Sequence, residues 1–177
     1  MLDRIILILF CCLILINIKA QNFDYEKLGD NLQIALPVSA FASTFIWEDN
    51  QKAQSQFIKT MGSSFIVTHG LKILINKERP NGGDYSFPSG HTSAAFTGAA
   101  FIEKRYGYNV GVPAYLLASY VGWSRVHANK HDYWDVLGGI IIGYGSAYIF
   151  TKPINKKVDL EISHINNTYT LLLHLSL

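Results

Sequence analysis

The sequence predicts an all-α protein, a helical bundle of about five core helices embedded in a membrane. Three observations carry that expectation. Apolar segments run Leu32–Trp47, Phe57–Ile75, Thr92–Ile102, Val110–Trp123 and Tyr133–Phe150, with polar or turn-rich links between them. Hydrophobic residues make up 49% of the 177-residue chain and charged residues only 16%, below the proportion usual in a soluble domain. Small residues recur at helix-packing spacing, in Ser93-Ala94-Ala95, Gly98-Ala99-Ala100 and Gly138-Gly139, Gly143, Gly145. Such residues let helix backbones approach closely, particularly in membranes.

Residues 1–20 read as a signal peptide. Arg4 precedes the apolar run Ile5–Ile16, which is short for a bilayer span, and Ala20 suits the cleavage position before Gln21. Both cysteines, Cys11 and Cys12, lie inside that leader, so the mature chain offers neither a disulfide nor a thiolate metal site. Phe10 before Cys11 is large for a lipoprotein cleavage site. Residues 21–157 then form one domain, which opens with the polar stretch Gln21–Asp30. Pro37 falls inside the first apolar segment and predicts a kink.

Leu32–Trp47 and Val136–Thr151 are uncharged runs near the lower length limit for a span, while Thr92–Ile102 and Val110–Trp123 need tilt or a thinned bilayer. With residues 21–30 outside, alternate crossings put Lys104-Arg105 and Lys152, Lys156 and Lys157 on the cytoplasmic side. The alternative is a soluble periplasmic bundle. In the tail, 158–177, Val158, Leu160 and Ile162 alternate with polar residues, Asn166-Asn167 suits a turn, and Tyr169–Leu177 is apolar again. That pattern predicts a β-hairpin, with His164 and His174 as surface or packing residues. A net charge of +2 without a basic tract gives nucleic acid binding no electrostatic support.

Three polar blocks interrupt the apolar pattern: Lys72–Pro80, Pro88–His91 and Ser124–Asp135. The chain has four arginines, of which Arg4 lies in the leader, and two of the other three, Arg79 and Arg125, stand in these blocks. Arginine presents a rigid fork of donors that matches phosphate oxygens. His131 and Asp135 are four apart, which places them on one face of a helix. A carboxylate there takes the proton of one imidazole nitrogen and leaves the other as nucleophile or base. Asp132, near the expected helix start, reads as a capping residue, and Arg125 is expected in a loop reaching over the same phosphate.

Ser89 and Gly90 present a hydroxyl and backbone N–H groups at a helix N-terminus, a ready anion site. His91 at the same point suits proton donation to a leaving oxygen, and the first block supplies Lys72 and Arg79. A metal reading competes, because His127, His131 and Asp135 are spaced by four and would line one helix face as ligands. It leaves Arg79, Arg125 and Pro-Ser-Gly-His unexplained. His69 reads as packing or a pocket edge.

Together the blocks resemble the type 2 phosphatidic acid phosphatase and vanadium haloperoxidase superfamily. That family's pattern is Lys-x6-Arg-Pro, Pro-Ser-Gly-His and Ser-Arg-x5-His-x3-Asp, met here by Lys72, Arg79, Pro80, Pro88–His91, Ser124, Arg125, His131 and Asp135. The resemblance implies a phosphatase without metal or other cofactor. In it His131 attacks phosphorus to give a phosphohistidine, Asp135 orients its ring, and His91 protonates the leaving oxygen. Lys72, Arg79, Ser89, Gly90 and Arg125 hold the phosphate. The implied substrates are phosphate monoesters or diphosphates, of lipids for a membrane-embedded enzyme facing the periplasm, or small organic phosphates for a soluble periplasmic acid phosphatase. The haloperoxidase branch fits less well, since the chain is short for it.

Overall fold

A computed structural model describes residues 24–45, 50–154, 157–165 and 168–176 of the chain; the leader expected over residues 1–20 lies outside them. Five helices follow one another among the described residues: α1 (Tyr25–Ser43), α2 (Asn50–Ile75), α3 (Gly90–Tyr106), α4 (Tyr108–His127) and α5 (Tyr133–Phe150). Local chemistry sets their ends. Asp24 accepts a hydrogen bond from Lys27 N at 2.9 Å and starts α1. Residues 25–30 of the polar stretch that precedes the first apolar segment are therefore the helix's first turns, not a lead-in to it. Asn76, at a φ of 41°, leaves α2 through the left-handed region. Gly107, at a φ of 92°, breaks α3 from α4 where an L side chain would be strained. Asp132 and Asp135 form a capping box at the start of α5.

Helix α3 is the hub, in contact with each of the other four. Its Ala95, Ala99 and Phe101 are completely buried beside Leu36 and Ala40 of α1 and Ala118 and Val121 of α4. Glycines set the closest approaches. A Cβ on Gly98 would stand 2.7 Å from Pro37 N, and one on Gly143 would stand 2.7 Å from Ser93 O. Gly145 meets nothing within 4 Å, so its place in the small-residue pattern is not a packing role. Buried hydroxyls link the helices as well. Thr68 Oγ1 donates to Ser93 Oγ at 3.0 Å, Thr97 Oγ1 donates to Ser64 Oγ at 2.8 Å, and Thr60 and Thr151 share a 3.1 Å contact.

The outer surface is strongly apolar. Ile34, Ile58, Ile66, Leu74, Leu116, Ile141 and Ile149 are all exposed. No described helix is long and apolar enough to cross a membrane. Beyond the bundle, the backbones of β1 (Lys157–Ile165) and β2 (Thr168–Ser176) pair antiparallel, with Lys157 opposite Ser176 and Ile165 opposite Thr168.

Candidate active site

The three polar blocks meet at one end of the bundle, where α2 and α4 finish and α3 and α5 begin. Gly139 is what lets α5 reach α3 there, since a Cβ on it would stand 2.7 Å from Ser89 O. Gly138 does the same against the ring of Phe87 and Pro88. Ser89 N then donates to Asp135 O at 2.8 Å, which ties the second block to the third. Ser89 is the N-cap of α3, fully buried, and its Oγ accepts from Thr92. Gly90 and His91 open that helix, and a Cβ on Gly90 would lie 3.6 Å from Lys72 Cε.

Asp135 is buried and densely bonded. Its carboxylate accepts from Lys77 Nζ at 2.8 Å, from the Asp132 backbone N at 3.1 Å and from the Ser86 hydroxyl. His131 Nδ1 lies 3.3 Å from the same carboxylate and 3.4 Å from Ser86 Oγ. An Nδ1–H donated to the carboxylate leaves Nε2 with its lone pair. Burial pushes the His131 pKa down to about 4, helped by the charges of Lys72 and Arg79 and opposed by Asp135. The ring is therefore neutral at pH 7, as a nucleophile must be. The expected helical pairing is corrected in one respect: His131 precedes α5, and Asp132 caps the helix between it and Asp135.

Arg125 is also placed differently from expectation. It lies within the last turn of α4, 2% exposed, instead of in a loop. Its guanidinium donates to Ser124 Oγ, to Glu26 O at 2.7 Å and to Asp30 Oδ1 at 2.6 Å. Asp30 Oδ1 is also 3.1 Å from His91 Nε2. Lys72, in the last turn of α2, donates to Tyr85 O at 2.6 Å. Arg79 sits in the turn closed by its N–H to Gly83 O at 2.6 Å, and its Nε donates to Asp84 O at 3.0 Å. Tyr85 takes a φ of 58°, a costly conformation for a bulky residue, in the segment whose carbonyl meets Lys72.

All eight predicted residues thus stand in one neighbourhood, and three more join them. Lys77 and Ser86 fall inside or beside the polar blocks, and their buried-carboxylate partner makes them visible only in three dimensions. Asp30 had one faint sequence signal, its i,i+4 relation to Glu26 within a stretch opened by the cap-forming Asp24. His127 is turned elsewhere. Its ring stacks on Trp123 at 4.9 Å and meets Tyr25 edge-on at 5.5 Å. No group of three or more His, Cys, Asp or Glu with metal-site spacing occurs among the described residues.

A neutral histidine backed by a buried carboxylate, with Lys72 and Arg79 near enough to lower its pKa, is an arrangement suited to phosphoryl transfer. Residues 81–159 match the model of the PAP2 superfamily. It is 28% identical over 152 residues to the lipid A 4'-phosphatase of Helicobacter pylori strain J99, covering 79% of this chain and 76% of that one. It is 30% identical over 141 residues to a lipid A 1-phosphatase of Porphyromonas gingivalis, covering 72% of this chain but 32% of the longer relative. Its fold resembles the crystal structure of Aquifex aeolicus LpxE, with a TM-score of 0.60 at 21% identity over 84% of this chain and 92% of that one.

Proposed function

We propose that the protein is a lipid phosphatase that removes a phosphate monoester or diphosphate group through a phosphohistidine. The observation that carries this reading is the His131–Asp135 pair at 3.3 Å, with a neutral ring and its Nε2 left for attack. Nε2 of His131 forms the new N–P bond as the P–O bond to the lipid breaks, and His91 gives its proton to the departing oxygen. Water then attacks phosphorus, His91 takes the water's proton, the N–P bond breaks and phosphate leaves. Lys72, Arg79 and Arg125, with the N–H groups at the start of α3, offset the negative charge spread over the phosphoryl oxygens. The names of the relatives make the phosphates of lipid A the first substrates to try.

The exposed apolar belt supports a bundle seated in lipid, and Tyr25, Trp123, Tyr133 and Trp134 stand exposed around the site end. Such amphipathic rings favour the membrane–water interface, which supports a site at the surface of the bilayer and not in its hydrocarbon. At the other end Lys52, Lys59 and Lys152 line a cleft between the start of α2 and the end of α5. That charge supports a cytoplasmic position for the far end and a periplasmic one for the site, in keeping with the reading of residues 1–20 as a signal peptide.

Phosphate release by the purified protein across lipid A, phosphatidic acid, a polyprenyl diphosphate and soluble esters tests the reading, with His131→Ala as control. Turnover of the lipids that the mutant abolishes is expected. A mutant as active as the parent, or a preference for soluble esters by protein extracted without detergent, would overturn it.

A further inference from the structure

The acid histidine has a carboxylate of its own, delivered by a helix outside the three polar blocks. Residues Glu26, Gly29 and Asp30 share one face of α1 and clamp the end of α4. The Glu26 carbonyl accepts from Arg125 Nη2 at 2.7 Å, and the Glu26 carboxylate pairs with Lys130 Nζ at 2.5 Å. Gly29 is the point of closest approach. A Cβ there would stand 2.1 Å from Ser124 Oγ and 2.6 Å from Arg125 Nη2. Asp30 Oδ1 then lies 2.6 Å from Arg125 Nη1 and 3.1 Å from His91 Nε2. The carboxylate is 44% exposed, yet its helix is fixed on both sides of it.

We propose that Asp30 is the positioning residue of the leaving-group acid, its carboxylate accepting from Nε2 of His91 and turning Nδ1 toward the leaving oxygen. This rests on the reading of His91 as that acid. In the first step the imidazolium passes its Nδ1 proton to the oxygen released from phosphorus and becomes neutral imidazole, while Nε2–H stays on Asp30. In the second step Nδ1 takes a proton from the attacking water, and the imidazolium is restored. The site then holds two Asp–His pairs of opposite duty. Asp135 bonds Nδ1 of His131 and frees Nε2 to attack; Asp30 bonds Nε2 of His91 and frees Nδ1 to carry the proton.

The charges around His91 make the second pair necessary. Burial lowers its pKa first, Arg125 of α4 and Arg79 of the α2–α3 link lower it further, and Asp30 of α1 opposes them. Lys72 of α2 adds a further cation beside Gly90. An acid must carry its proton when the leaving group departs; the pKa of His91 is lowered on balance, and among these groups Asp30 is the anion that opposes the lowering.

The leaving group supplies the test. Asp30→Asn keeps the shape and removes the charge; it is assayed in the purified full chain on aryl phosphates from phenyl (a poor leaving group) to 2,4-dinitrophenyl, which departs without a proton. The expected result is a kcat loss of roughly 10–100-fold on phenyl phosphate with KM little changed, and a loss of under about 3-fold on the dinitrophenyl ester. The basic limb of the pH profile moves to lower pH, and Asp30→Glu, which restores the charge, recovers part of the rate. An equal loss along the whole series overturns the proposal. So does a faster Asp30→Asn enzyme that binds vanadate more tightly, which would make Asp30 a carboxylate occupying the phosphate seat. His91→Ala separates the two failures. A steep leaving-group dependence in His91→Ala with a flat one in Asp30→Asn sinks only the role of Asp30, whereas a flat one in His91→Ala removes the acid assignment itself.

Discussion

Two glycines six residues apart on α5 provide an internally controlled test of how the site is assembled. Replacing Gly139 by Ala puts a methyl group 2.7 Å from Ser89 O, 3.0 Å from Ser93 N and 3.0 Å from Thr92 Cβ. Two of these are backbone atoms of the α3 start, so no side chain can rotate away and the helices must part by several tenths of an ångström. Overpacking of this kind costs about 1–3 kcal/mol, against which the better helix propensity of alanine returns about 1 kcal/mol. Gly145→Ala meets nothing within 4 Å, so it keeps the propensity gain without the clash. Thermal unfolding in detergent should therefore lower the midpoint for Gly139→Ala and leave or raise it for Gly145→Ala.

The consequence for turnover should be larger than that for stability. Ser89 N bonds Asp135 O across this contact, so parting the helices separates the Ser89–His91 segment from the His131–Asp135 pair. A displacement approaching 1 Å costs on the order of 100-fold in rate. Phosphate release by Gly139→Ala should fall by roughly 10–100-fold while Gly145→Ala stays at the parent rate. Matching melting points and matching rates for the two variants would refute the claim that Gly139 sets the spacing of the site.

Three further outcomes follow from the same structure. Lys77→Met removes a cation 2.8 Å from the buried Asp135 carboxylate. Because Lys77 is about a third exposed, the loss should be roughly 1–3 kcal/mol, below that for a fully buried pair, read by denaturant titration. Burial and the nearby cations hold the pKa of His131 at about 4, below its unfolded value of 6.5. The unfolded chain therefore binds the extra proton between those values, so stability climbs as pH rises from about 4 to 6.5. That slope should flatten in His131→Ala, as melting points across the range would show. Tyr133 and Trp134 are 78% and 71% exposed, so changing both to Ser should shift stability by less than about 0.5 kcal/mol. The same double change should weaken recovery of the protein with floated phospholipid vesicles, and unchanged flotation would count against the interfacial ring.

How much of this was legible in the sequence depended on whether a residue's identity is dictated by the phosphate or by its neighbours. Arg79, Arg125, His91, His131 and Asp135 stood out because few side chains offer a bidentate fork or a proton that moves near neutral pH. The residues behind them carry no such signature. Asp135 needs donors, and Lys77 and Ser86 supply two of them, yet either residue alone in a polar link reads as solvated. Helix boundaries slipped for a related reason. Apolar periodicity reports the buried middle of a helix, whereas Glu26, Asp30, Ser124 and Arg125 are polar and bond one another beside the site. The first turns of α1 and the last of α4 therefore looked like connecting chain.

The contribution of α1 also bears on what the family segment can do alone. The matched residues, 81–159, contain both histidines, Asp135 and Arg125 but not Lys72, Lys77 or Arg79, which belong to α2 and the link after it. Nor do they contain Asp30. Within that segment Asp135 would keep its bonds to Ser86 and to Asp132 N but lose its cation, and Arg125 would lose both its α1 acceptors. A guanidinium that is 2% exposed cannot be left without acceptors at small cost. On the proposed mechanism α1 and α2 are thus parts of the site: α2 and its link bring cations toward the phosphate and to Asp135, and α1 brings the Asp30 carboxylate that bonds Arg125 and His91 and the Glu26 carbonyl that also holds Arg125.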